Sequence, residues 1–215
     1  DGSKLVYATE EGLMLVNADG SGAQRLIGQP QGGQATWSPD GTRLAYSALL
    51  SPGIRDIYVY HFDIGRAFPV VGSASRDQSP QWSPDGSKLV YTSDRDGNDT
   101  EIYVYDFETR RETALTDNWT FETFPTWTHD GRIVFASARD ERLSLYIINA
   151  DGSEEIRLVD DFWSNQPALL DAGWLLFSGQ RNAGQSSAWY RLNLDTGEIN
   201  YVLDGDYRML VRRPR

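Results

Sequence analysis

Apolar residues in this chain fall in short runs, within which large side chains alternate with small or polar ones. Examples are "LMLVN" (13–17), "IYVYH" (57–61), "IYVYD" (102–106), "LYIIN" (145–149) and "WYRLN" (189–193). Period-two patterning rich in Tyr, Val, Ile and Trp predicts β-strands with one face buried. Asp-Gly and Asn-Ala-Asp-Gly interrupt these runs, and those residues favour tight turns. No stretch keeps helical spacing beyond a turn, so the pattern predicts an all-β protein.

The runs repeat. Aligning the aromatic that ends each "DGxxLxY"-like unit puts Tyr7, Tyr46, Tyr91, Phe135 and Phe177 in register, at spacings of 39, 45, 44 and 42 residues. After each aromatic come a polar loop, an apolar strand, a turn and a closing strand: "AQRLI", "AFPVV", "ETALT", "EIRLV" and "INYVL". "ATW", "PQW", "PTW" or "PAL" then opens the next unit. Four short strands per unit of this length match a β-propeller blade, in which small twisted sheets pack around a central channel. Each "SPDG" (38–41, 83–86) predicts a reversal between the first and second strands, with Pro presetting φ and Gly accepting positive φ. The Trp before the turn (Trp37, Trp82, Trp127) is positioned to pack between sheets.

Five units fit the length, which makes residues 1–215 a single propeller domain. The first unit begins at its second strand, and "DYRMLV" (206–211) falls where a further first strand is due. The expectation is therefore five four-stranded blades closed by the C-terminal strand, since closure removes exposed sheet edges. The alternative is an excerpt of a six- to eight-bladed ring.

Charge narrows the function. With 31 acidic against 20 basic residues the net charge is −11, a surface that repels phosphate backbones and anionic lipid. Neither a nucleic-acid partner nor membrane insertion is expected, because no apolar run is long enough to span a bilayer. Cysteine is absent, which excludes disulfides and thiolate metal sites.

"WSPDGTRLAYS", "WSPDGSKLVYTSDRDGNDTEIYVYD" and "LYIINADGSEEIRL" resemble the TolB-like propeller repeat, a cousin of the WD repeat. The likeness covers essentially the whole chain, although the fifth unit, "PALLDAGWLLFSG", has lost both the Trp and the Pro-Asp-Gly turn. The resemblance implies the fold strongly. It also implies a periplasmic or extracellular binding platform, because in TolB-like proteins the ring serves as a protein-binding or gating surface and any chemistry lies in another domain. A substrate-gating propeller of a larger prolyl-oligopeptidase- or tricorn-type peptidase is the corresponding alternative.

Candidate chemistry is sparse. A nucleophile needs a base, and only His61 and His129 are present, one at a strand end and one in a turn, with no GxSxG elbow. No catalytic residue is therefore assigned, and the chain is not expected to be an enzyme. In "DRDGNDTE" (94–101) the oxygen donors Asp94, Asp96 and Asn98 form a candidate Ca²⁺ loop, but the Gly and Glu spacing of an EF-hand is missing, so no cofactor is assigned. The residues two or three before "PxW" face the channel in this reading, giving Asp77, Gln78, Glu122, Thr123 and Asn165, with Asp206 near closure, as the partner-binding set. Asp77, Glu122 and Asp206 would also be the carboxylates of a five-bladed channel glycoside hydrolase, a further alternative. The expectation is a monomer presenting its channel and loops to a peptide or protein, and the acidic balance favours a partner with a basic segment.

Overall fold

A computed structural model of the chain describes residues 2–28, 32–97, 99–140, 142–160, 163–171, 173–180 and 186–204. Among these residues every regular element is a strand, and no helix is long and apolar enough to cross a membrane.

The strands form five antiparallel sheets arranged as a five-bladed β-propeller. The first blade contains β1 (Lys4–Thr9), β2 (Gly12–Asn17) and β3 (Gln24–Ile27). The second has β4 (Gly32–Trp37), β5 (Arg43–Ser51), β6 (Ile54–His61) and β7 (Arg66–Val71). The third has β8 (Gln78–Trp82), β9 (Lys88–Ser93), β10 (Glu101–Asp106) and β11 (Arg111–Ala114). The fourth has β12 (Glu122–Trp127), β13 (Arg132–Ser137), β14 (Ser144–Asn149) and β15 (Ile156–Arg157). The fifth has β16 (Trp163–Asp171), β17 (Trp174–Gln180), β18 (Ala188–Asn193) and β19 (Ile199–Asp204). In blades two to five the strands lie in chain order from the innermost outward. Blade one shows the counterparts of the second to fourth strands, β1 packing on β4 as β5 packs on β8. The expected closing strand at 206–211, Asp206 included, lies outside the described residues.

The repeated aromatics fix the register. Tyr46 pairs with Tyr58, Tyr91 with Tyr103, Phe135 with Tyr146 and Phe177 with Tyr190 across the second and third strands of their blades. All four pairs stack with centroids 5.6–5.9 Å apart. A slip of one residue would turn each pair to the other face, so the aromatics specify the pairing. In blade one the counterpart Tyr7 sits opposite Met14 and is 43% exposed.

Each core lies between blades rather than within one. Val90, Ile102, Val104 and Leu115 of blade three pack on Trp127, Ile133, Phe135, Tyr146 and Ile148 of blade four. The same arrangement joins blade two to three around Trp82 and Tyr91, and blade four to five around Phe177. The Trp side chains pack between sheets as the sequence predicts, and they also form polar contacts. Trp82 Nε1 donates to the Thr36 carbonyl (3.2 Å) and Trp127 Nε1 to the Gln81 carbonyl (3.1 Å), tying each innermost strand to that of the blade before it.

The turns form as their residues dictate. In "SPDG" Ser38 donates to Asp40 (2.5 Å) and Thr42 N–H donates to the same carboxylate (3.0 Å), which holds Asp40 down at about 2. Gly41 and Gly86 adopt φ of 71°, a conformation that side-chain-bearing residues rarely take.

Candidate functional site

The connections between second and third strands, and those from a fourth strand to the next innermost strand, emerge at one face of the ring. On this face the predicted partner-binding acids occupy a different place from the expected one. Asp77 and Glu122 are both 0% exposed, each capped by an arginine from the loop after the second strand.

The two caps match atom for atom. In blade three Arg95 Nη2 donates to Asp77 Oδ1 (2.9 Å), Nε donates to Ser93 Oγ (2.9 Å) and Nη1 pairs with Glu112. The guanidinium also lies 4.7 Å from the Tyr103 ring centroid. In blade four Arg139 Nη2 donates to Glu122 Oε1 (3.1 Å), Nε donates to Ser137 Oγ (2.9 Å) and Nη1 pairs with Glu155, 4.4 Å above the Tyr146 ring. Desolvation opposes the charge of Arg95, but the bonds from Asp77 and Glu112 outweigh it and raise the pKa. Burial, and then the hydrogen bond to Glu112, push Tyr91 upward. Asp77 and Glu122, expected as exposed partner contacts at the channel, are buried and paired with arginines, so each acts as half of a clamp between loop and strand.

A second acid accompanies each clamp, Asp56 beside Asp77 and Glu101 beside Glu122, each just before the "IYVY" strand segment. Asp56 Oδ1, Glu101 Oε2, Glu122 Oε2 and Ser164 Oγ are the buried side-chain oxygens without a partner among the described residues, and all four fall on these two repeat positions. Desolvation raises both Asp56 and Glu101, and nearby Glu122 helps bring Glu101 to about 7.

The channel side also departs from the expected alternation. Ser79, Phe124 and Gln166 have φ of 54°, 52° and 49°, each directly before a buried proline and within a β-bulge of the innermost strand. The bulge breaks the alternation and brings the next residue across to its neighbour. Ser79 Oγ donates to Gln34 Oε1 (2.6 Å), and Thr36 Oγ1 donates to Gln81 Oε1 (3.3 Å), linking β4 to β8 around the channel. Of the predicted contacts, Gln78, Thr123 and Asn165 are half-buried; Asn165 accepts a hydrogen bond from Ser178. The Ca²⁺ candidates are engaged elsewhere, Asp94 by the Arg76 N–H (2.7 Å) and Asp96 by the Tyr103 hydroxyl. Asn98 lies outside the described residues.

The feature most open to a partner went unmarked in the sequence reading. The connection from β11 to β12 carries Trp119, 97% exposed, and Phe121, 57% exposed, on a tightly held loop. Asn118 N–H donates to Glu101 Oε1 (2.8 Å) and Asn118 Nδ2 to Glu122 Oε1 (3.1 Å). Thr120 N–H donates to Asn118 Oδ1 (3.0 Å), and Glu122 N–H to the Thr100 carbonyl (2.8 Å). The buried acids therefore anchor a short segment that points two aromatic rings into solvent, with Asp117 exposed beside them.

Radial antiparallel blades, inter-blade tryptophans and a sequence repeat in register with the blades define a five-bladed β-propeller. The profile of the TolB β-propeller domain matches residues 1–207, and the chain belongs to that family. Among solved structures it is similar to the protein assigned as TolB in Agrobacterium tumefaciens (TM-score 0.83, 22% identity, 95% of this chain and 78% of that one). It is also similar to TolB from Acinetobacter baumannii (TM-score 0.79, 20% identity, 95% of this chain), of which it spans about half, 53%. A puromycin-hydrolyzing peptidase of Mycobacterium tuberculosis shares the fold as well (TM-score 0.75, 16% identity, 94% of this chain and 35% of that one). No curated protein matches the chain.

Proposed function

We propose that this propeller is a non-catalytic binding module that presents the loop face and channel mouth to a peptide or protein partner. The observation that carries the reading is the anchored Trp119–Phe121 loop. Exposed aromatic side chains are the usual anchors of protein interfaces, and a loop already fixed by hydrogen bonds loses little entropy when it binds. Asp117 and Asp99 beside this loop suit a basic side chain lying against the rings. The half-buried Gln78, Thr123 and Asn165 remain the proposed polar contacts near the channel. Membership of the TolB family supports a periplasmic setting, which cell fractionation would check.

Panning a random peptide library against the full chain tests the reading. Selected peptides are expected to share a motif and to lose binding to the Trp119→Ala/Phe121→Ala double variant while its melting temperature holds. Peptides that bind that variant equally well would count against the platform. The likeness to the puromycin-hydrolyzing peptidase supports a second reading, a gate for a catalytic domain. A gate that filters by size would select no sequence motif.

A further inference from the structure

One blade away, the same face carries the opposite charge. Arg55, the second residue of β6, and Arg76, in the connection from β7 to β8, are held side by side by an isolated parallel bridge. Arg55 N–H donates to the Ser75 carbonyl (2.9 Å), and Asp77 N–H donates to the Arg55 carbonyl (2.8 Å). Both arginines line an open pocket of about 210 Å³ together with Leu49, Gly53 and Gln78.

The charge of these two arginines is poorly compensated. Among the described residues the Arg55 guanidinium has no hydrogen bond or ion pair, and Arg76 has only Asp94, at 3.9 Å. Three other arginines of this face are closed by acids: Arg95 by Asp77 and Glu112, Arg139 by Glu122 and Glu155, and Arg157 by Asp140 and Asp160. In a chain of net charge −11, these two arginines form a local cationic site at one pocket. Two guanidinium groups lining one pocket repel, and an anion that accepts hydrogen bonds from both relieves the repulsion. The Gln78 amide adds a donor at the same pocket.

We propose that the Arg55–Arg76 pocket is a carboxylate subsite that receives an Asp or Glu side chain of a bound peptide. The inference rests on the platform reading and adds a second station to it. The clamped acid Asp77 positions the site through its own N–H, while its carboxylate is paired with Arg95. Among the described residues no aromatic lines the pocket, so they offer an acidic sugar ring no face to stack on. The partner segment therefore carries an acidic residue for this station and a basic or apolar one for Trp119 and Phe121.

Calorimetric titration of the full chain tests the proposal, with a blocked triglutamate peptide, its triglutamine counterpart, trigalacturonate and inorganic phosphate as probes. The glutamate peptide is expected to bind in a salt-sensitive way and the glutamine peptide to fail. Arg55→Gln and Arg76→Gln should each weaken binding about tenfold to a hundredfold, in line with loss of a hydrogen bond to a charged group. Arg55→Lys should fall between, and a melting curve for each variant confirms folding. Equal binding of the two peptides, indifference to Arg55→Gln and Arg76→Gln, or binding of phosphate or trigalacturonate without the glutamate peptide would each overturn the subsite. The peptides selected by panning separate this failure from that of the platform: if they bind Arg55→Gln/Arg76→Gln normally yet are lost in Trp119→Ala/Phe121→Ala, the subsite falls and the platform stands.

Discussion

The junction between blades two and three and the junction between blades three and four are built on one plan and end in different surfaces. Beneath, Asp77 with Arg95 and Glu122 with Arg139 occupy equivalent places, and Ser73 donates to Asp77 (2.9 Å) where Asn118 donates to Glu122. Above, the first junction shows Ala74 and Arg76 where the second shows Trp119 and Phe121. The comparison teaches that these two copies share the foundation of their loops while the outward side chains differ. Rigidity is common to the copies, and recognition is local to each.

The largest effect should come from breaking a foundation. Asp77→Ala and Glu122→Ala each leave an arginine without its central carboxylate, so urea unfolding should show losses of ~3–5 kcal/mol, the usual range for removing one partner of a buried pair. Similar losses at both junctions would confirm the shared plan, whereas a loss at only one would show that the clamps differ in energy as well as in sequence.

A smaller effect, dependent on pH, separates the second acids. Glu101 has its folded-state value raised from 4.5 to about 7, so the folded protein holds this proton more tightly than the unfolded chain. The stability linked to it is complete below about 4.5 and is lost as pH climbs through about 7. Thermal melts across that window should show this decline, and Glu101→Gln should flatten it. An unchanged slope would mean that Glu101 stays ionised throughout. Asp56 is raised in the same direction, chiefly by burial, so Asp56→Asn should relieve a similar decline at the neighbouring junction.

The smallest change in stability is expected from exchanging the outward side chains. Grafting Trp and Phe through Ala74→Trp/Arg76→Phe, and removing them through Trp119→Ala/Phe121→Arg, should each shift stability by no more than ~0.5 kcal/mol, because these side chains are exposed or lie in connections. Binding of the selected peptides should fall when Trp119 and Phe121 are removed, and the graft, which also removes Arg76, should not by itself restore it. If both exchanges unfold the chain, outward residues and foundation are coupled and the comparison fails.

The elements of the fold were legible because their signals are local. Alternation in "IYVYD", Gly in "SPDG" and an aromatic at constant spacing each act within a few residues, and the strands, turns and cross-strand ring pairs formed where those letters stand. The fate of the acids was not legible, because Asp77 depends on an arginine 18 residues away whose reach is set only once β9 and β10 have paired. The bulges of the innermost strands had a visible sign in the sequence: Pro80, Pro125 and Pro167 each follow a bulged residue, and a proline within a strand marks an irregular ladder. Trp119 and Phe121 left their own trace as the large apolar letters in a loop position where the neighbouring copy has Ala and Arg.

The arginine clamps have an evolutionary corollary. Since the loops at these two junctions are moored from below by buried carboxylates paired with arginines, mutation can redraw their crests without risking collapse of the ring. A lineage bearing such moorings could acquire new binding partners one blade at a time.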